Sequence, residues 1–214
     1  MSSANFSLKP RKVIASRIFL LLFASLLAIS WSIGYVVSEA RPQERFLSIS
    51  TLGSDMTTDN YYPAGNSAIN VGDTVTWHVN VYNHMGSPEY LSVRIKLLNS
   101  TEAIPDDTSK NPDPDPDSNI IEMKHMLMDN STWVFPLSWK IKDVYKEQDY
   151  VVIKSLSVNG IDVDGLNVKS AGSKDFRMII ELWRYDPEVK NFAFTWSSGL
   201  DERSAWNQIW FNVR

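Results

Sequence analysis

The run Met123-Lys124-His125-Met126-Leu127-Met128 places three thioethers and an imidazole within six residues. Thioether sulfur and imidazole nitrogen are soft ligands that suit Cu(I). His125, Met126 and Met128 are therefore the side chains that would hold a copper ion, provided the backbone bends around it. In an extended strand, side chains alternate between faces, so Met123 and His125 part from Met126 and Met128. Methionine as adaptable core filler then accounts for the run without metal.

Asp113, Asp115, Asp117 and Asn119 alternate with Pro and Ser and resemble the start of a calcium loop. The twelve-residue template next asks for Gly at Ser118 and Glu at Lys124, and neither is present. A solvated acidic loop is the simpler reading, and no cofactor is expected. The three histidines are His78, His84 and His125, and none sits in a zinc-protease pattern. No nucleophile-elbow, phosphate-loop or dinucleotide-binding motif occurs. Asp106-Asp107 and Asp162/Asp164 lie in polar surroundings, whereas general acid–base work needs a carboxyl lifted by a pocket. No catalytic residue is assigned, and the chain is not expected to be an enzyme. Asn99-Ser100-Thr101 and Asn130-Ser131-Thr132 are N-glycosylation sequons, so Asn99 and Asn130 are candidate glycan acceptors.

The absence of cysteine among 214 residues excludes disulfides, thiolate metal sites and a lipidated cysteine. A net charge of −4 conceals an asymmetry. Lys9, Arg11, Lys12 and Arg17 precede the first acidic residue, Glu39. Beyond them 17 Lys and Arg face 25 Asp and Glu, leaving the body near −8. An acidic body does not neutralise phosphates, so nucleic acid is excluded as a partner.

Ile18 to Val37 is a twenty-residue stretch without a charge. As a helix it is roughly 30 Å long, enough to cross a bilayer core and contact membrane lipid. Its basic N-terminal flank predicts a cytoplasmic tail over 1–17, a transmembrane helix over 18–37 and a linker over 38–44. Everything beyond is then extracytoplasmic, in a single-pass arrangement at the cell membrane. Ser38-Glu39-Ala40 has the small–x–small form of a signal-peptidase site, but a twenty-residue apolar run is long for a cleaved signal.

Over residues 45–214 the dominant pattern has period two. Val75, Trp77, Val79 and Val81 oppose Thr76, His78, Asn80 and Tyr82. Leu91, Val93, Ile95 and Leu97 oppose Ser92, Arg94 and Lys96, and Trp133, Phe135, Leu137, Trp139 and Ile141 oppose Val134, Pro136, Ser138 and Lys140. Alternation of this kind marks antiparallel strands with one face on a core. Further strands are predicted at 46–52, 120–128, 150–158, 176–185, 192–196 and 208–213. Pro136 lacks an N–H, so its strand should lie at an edge or bulge there. Asn159-Gly160 predicts a tight hairpin. The predicted fold class is mainly β: a transmembrane helix followed by an antiparallel immunoglobulin-like β-sandwich, with a disordered acidic loop near 102–119.

The segments Glu44-Arg45-Phe46, Tyr62-Pro63, Asn70-Val71-Gly72 and Val75 through Asn83-His84 form a recognisable series. A Trp-rich strand (Trp133–Trp139), Leu182-Trp183 and the closing Ile209-Trp210-Phe211-Asn212-Val213 follow. Together they resemble the archaeal membrane-anchored domain of unknown function family numbered 1616, over nearly the whole body. The resemblance implies an archaeal cell-surface protein with an immunoglobulin-like domain, and it brings no site residues.

Strand parity puts Trp183 and Trp210 opposite the inward sets Met178/Ile180/Leu182 and Ile209/Phe211/Val213. An outward tryptophan can stack on a sugar or dock a partner. The expectation is a non-catalytic membrane-anchored module that contacts envelope or membrane proteins. The alternative is an extracytoplasmic ligand-binding domain, for carbohydrate or copper.

Overall fold

A computed structural model describes residues 10–38, 44–105, 119–198 and 201–214. Contacts divide the chain into Met1–Gln43 and Glu44–Arg214. In the first unit, helix α1 runs Pro10–Ser38. Its stretch Arg17–Val36 is long and apolar enough to cross a membrane, and none of it is buried within the protein. The helix starts seven residues before that stretch, where Pro10 takes a first-turn position that needs no amide hydrogen.

The second unit is a β-sandwich whose strands pair antiparallel except for one short parallel pairing, Ala68-Ile69 with Asn212-Val213. One sheet has the order β1 (Phe46–Leu52), β3 (Thr74–His84), β6 (Ser131–Glu147), β7 (Tyr150–Val158), β8 (Ile161–Ala171). The other has the order β2 (Ala68–Ile69), β13 (Ala205–Val213), β9 (Phe176–Asp186), β4 (Glu89–Asn99), β5 (Asn119–Leu127), with β10 (Asn191–Ala193) beside the end of β9. A separate two-stranded ribbon is made by β11 (Trp196–Ser198) and β12 (Asp201–Arg203).

The alternating apolar sets meet between the sheets as predicted. Trp77, Val79, Val81, Leu137 and Trp139 from one sheet pack against Val93, Ile95, Ile180, Leu182 and Phe211 from the other. Trp139 sits at the centre. Its ring lies 5.2 Å from Trp77 and 5.0 Å from Phe211, which in turn stacks on Phe176 at 5.8 Å. Trp133 is only partly buried, near the β5 edge, where it stacks on His125 at 4.8 Å.

Pro136 occupies an interior strand yet a local edge. It pairs with His78 of β3, while β7 begins to pair with β6 only at Trp139. The missing amide therefore faces a side with no strand. The Asn159 side chain crosses that gap, donating to the Pro136 carbonyl at 3.3 Å and accepting from the Ser138 amide at 2.8 Å. In the hairpin itself Asn159 and Gly160 both have positive φ (48° and 81°), as a type I′ turn requires. Gly53 is needed for a different reason: a Cβ there would lie 1.7 Å from the Asp59 carbonyl oxygen.

The region expected as one strand at 192–196 is two short strands, β10 and β11, parted at Phe194-Thr195. Most of the predicted acidic loop, including Asp113, Asp115 and Asp117, lies outside the described residues.

Candidate functional site

The outward face of the second sheet is where parity places Trp183, and there it is not exposed. Only 6% of its surface is accessible. The Arg94 guanidinium stacks on its ring at 3.9 Å, Phe194 packs against it at 5.6 Å, and its indole N–H donates to Glu181 at 2.9 Å. Both flanks of the indole are taken, so Trp183 is a buried structural residue rather than the stacking residue expected from its parity.

Trp183 belongs to a belt of charges across this face. Lys96 Nζ lies 3.2 Å from Glu181 Oε1, and the two side chains are 3% and 1% exposed. Alongside, Glu122 Oε1 accepts from Ser92 Oγ at 2.8 Å and Arg94 Nε at 3.1 Å, while Glu122 Oε2 pairs with Lys124 at 2.9 Å. Burial pushes the Glu122 carboxyl up, but bonds from Lys124, Ser92 and Arg94 outweigh it and hold the group below the usual glutamate range. Tyr90, Tyr185 and Phe192 form a tilted aromatic cluster nearby, with centroids 5.2 to 6.0 Å apart. Tyr90 within the cluster and its strand partner Met126 are exposed.

Trp210, in contrast, is 39% exposed and stands at the mouth of a cleft. The cleft lies at one open side of the sandwich, where edge strand β1 approaches β13, and has a volume of about 590 Å³. Ile49 and Thr51 line it from β1, and Asn207 and Ile209 from β13. Thr51 Oγ1 donates to Asn207 Oδ1 at 3.0 Å. Asn207 Nδ2 is buried and has no acceptor among the described residues.

Two tyrosines, placed by the turn before Pro63, close the end of this cleft. Tyr61 OH donates to the Thr51 carbonyl of β1 at 2.9 Å, and the Tyr61 carbonyl accepts from Trp77 Nε1 at 2.6 Å. Tyr62 OH donates to the Trp210 carbonyl of β13. Adjacent residues thus tie one strand edge from each sheet, capping carbonyls that an open edge would leave free. Sequence reasoning singled out Tyr62-Pro63 only as a motif. No periodicity marks a clasp, and Asn207 gave no signal at all.

Burial, and after it the charge of neighbouring Tyr61, keeps the Tyr62 phenol above the ordinary tyrosine range. The unfolded chain therefore loses this proton first, near pH ~10. Stability held below that pH is lost as pH rises toward the folded value. Tyr62→Phe is expected to lower stability by about 1 kcal/mol at neutral pH and to flatten the alkaline decline. Urea unfolding of both chains between pH 7 and 11 checks this, and parallel alkaline slopes would remove Tyr62 as the titrating clasp.

His125 is on the inward-facing side of β5, in register with Leu91, and rests on Trp133. Met126 pairs with Tyr90 on the opposite side, and Met128 follows the strand end, both exposed. Two faces divide the three soft ligands. The full chain in detergent is accordingly expected to bind Cu(I) no more tightly than a His125→Ala/Met126→Leu variant in a competition titration. Stoichiometric binding confined to the parent would contradict the strand geometry.

Of the two sequons, Asn99 closes β4 in a side-chain turn, its Oδ1 accepting from the Thr101 amide and hydroxyl at 2.7 and 2.8 Å. Asn130 is at the β5–β6 turn with φ 54°, its Oδ1 within 2.5 Å of His84 Nδ1. The other segments of the motif series also brace turns. Asp73 Oδ2 accepts from the Asn70 amide and side chain, and buried Asn83 donates to the Ser87 and Leu127 carbonyls at 2.9 Å each.

Fold and site define a mainly antiparallel β-sandwich preceded by an apolar helix, with an aromatic-rimmed cleft at one edge. No protein-family model matches the chain, and no curated protein matches it either. Among solved structures it is similar to the CARDB domain of a Pyrococcus furiosus protein in complex with di-metal ions. The identity is 11% and the TM-score 0.40, over 83% of this chain and 95% of that one.

Proposed function

We propose that this protein is a non-catalytic, membrane-anchored surface module. Its N terminus is cytoplasmic, α1 crosses the bilayer, and the sandwich contacts envelope proteins or other subunits of a membrane complex. The observation that carries this reading is Arg17–Val36, an unburied apolar helix joined to a body that has its own core. A helix apolar on every side, with no protein packed on it, is at home in lipid. The basic flank supports the orientation, and the motif series supports kinship with the archaeal family numbered 1616.

A second reading, a carbohydrate-binding domain, has only the exposed edge of Trp210 in its favour, since Trp183 is buried and the Arg177 guanidinium already lies over the Trp210 ring at 5.1 Å. The test is photocrosslinking in cells. A photoreactive residue placed at Tyr90 or Gln208 of the full chain is expected to give discrete protein adducts. Absence of protein adducts at both positions would contradict the contact-module reading.

A further inference from the structure

The sequon at Asn130 stands on the outer side of the first sheet, next to a group of rings. Asn130 and Thr132 are both exposed, where the turn after β5 runs into β6. Thr132 pairs with Tyr82 of β3, and Ser48 and Phe46 of β1 lie across from Tyr82 and His84. Parity turns Phe46, Tyr82, His84 and Thr132 outward, away from the core residues Val79 and Val81. The three rings form one shelf. Phe46 lies 5.8 Å from Tyr82 and 5.2 Å from His84, and Tyr82 stacks on His84 at 6.0 Å. Each keeps part of its surface accessible. Asn130 leans on this shelf: its Oδ1 accepts from Tyr82 OH at 3.3 Å and lies 2.5 Å from His84 Nδ1. Its Nδ2 donates to Asp129 Oδ2 at 2.9 Å.

We propose that Asn130 carries an N-linked glycan whose first sugar ring packs on the Phe46–Tyr82–His84 shelf. The proposal rests on the extracytoplasmic placement of the sandwich given above. The donor is a sugar linked to a polyisoprenyl phosphate. Asn130 Nδ2 attacks its anomeric carbon, the carbon–nitrogen bond forms and the carbon–oxygen bond to phosphate breaks. The lipid phosphate leaves, and the amide releases one proton. The remaining N–H still reaches Asp129. Because Oδ1 and Nδ2 share one carbon, the sugar starts beside Tyr82 and His84, and the C–H face of a pyranose suits an aromatic surface. Asn99 is the poorer acceptor. It is half-buried, and its Nδ2 donates to the Lys169 carbonyl of β8 at 3.1 Å. A sugar on that nitrogen would have to fit between strands of opposing sheets. A turn accounts for an asparagine at φ 54°. It does not account for the hydroxyl two residues on, or for three rings on an outer face.

The full chain purified from its native membranes provides the test, because trypsin separates the sequons of the sandwich. Residues 125–140 hold Asn130, and residues 97–110 hold Asn99. Mass spectrometry is expected to find sugar on the 125–140 peptide and none on the 97–110 peptide. Thr132→Val is expected to abolish the addition and Thr132→Ser to keep it. The same chain made in a bacterium without an oligosaccharyltransferase gives the sugar-free form. Its thermal midpoint is expected to be about 2–4 °C lower. In Tyr82→Val that difference should largely vanish, since the sugar has lost its ring. A bare 125–140 peptide, or sugar on Asn99 alone, would overturn the proposal. An equal midpoint difference in Tyr82→Val would overturn the shelf. Labelling of Val189→Cys by an impermeant maleimide on intact cells keeps the two readings apart. A bare peptide in a chain that labels leaves the sandwich outside and removes the glycan. A bare peptide in a chain protected until lysis removes both.

Discussion

Trp139→Ala is expected to lower the stability of the sandwich by about 3–5 kcal/mol, the range for deleting a large buried aromatic. Trp139 is 1% exposed and touches Trp77 and Phe211, so its removal opens a cavity where the two sheets meet. Trp133→Ala should cost clearly less, because Trp133 packs at the sheet edge and is only partly buried. Trp139→Phe separates packing from polarity. The Trp139 indole N–H has no acceptor among the described residues, so the phenyl ring loses volume but also removes a buried unsatisfied donor. Its cost should fall well below that of alanine. Denaturant unfolding of the three variants measures this, and equal losses for Trp133→Ala and Trp139→Ala would mean the centre of the core is misplaced.

The second large effect concerns Lys96 and Glu181. Removing one partner of a buried pair strands the other charge away from water, at a cost of about 3–5 kcal/mol. Lys96→Met and Glu181→Gln are each expected to show it, with Glu181→Gln also weakening the bond from Trp183 Nε1. The pair as a whole should be worth far less than either half. Lys96→Met combined with Glu181→Gln removes both desolvated charges while keeping an acceptor for Trp183 Nε1, and should recover most of the loss. Additive losses in the double variant would show the two groups to be independently solvated and the pair to be incidental.

That pair also marks what the sequence left hidden. Inward positions were legible wherever a strand kept its period, as in β3, β4 and the first half of β6. The reason is physical: one water-excluded face demands apolar residues at every second position. The same rule treats the outer face as solvent. It read Lys96 and Arg94 as surface charges and Trp183 as an exposed platform, although contacts distant in the chain bury Lys96 and Trp183. Parity was right for Trp183 and exposure was wrong, because parity reports direction and not what lies above.

Irregularities hid the rest. In β6 the register shifts between Ile141 and Val144, so alternation stops although the strand continues to Glu147. The two-residue β2 is too short to carry a pattern. The cleft is assembled from β1 and the nearby Tyr61-Tyr62 turn together with β13, more than a hundred residues further on, and neither Asn207 nor Tyr61 differs locally from any polar turn or strand residue. Tyr62-Pro63 and Asn83-His84 did stand out as motif segments. Tyr62 proves to tie a turn to β13, and Asn83 to join the β3–β4 turn to the end of β5.

Everything proposed for function depends on the sandwich being displayed outside the cytoplasm, and the absence of cysteine makes that directly measurable. A single cysteine is introduced at exposed Val189 in one full-length variant and at Ser3 in another. A membrane-impermeant maleimide applied to intact cells is expected to label Val189→Cys, and to label Ser3→Cys only after the cells are opened. Labelling of Ser3→Cys on intact cells, with Val189→Cys protected until lysis, would contradict the account.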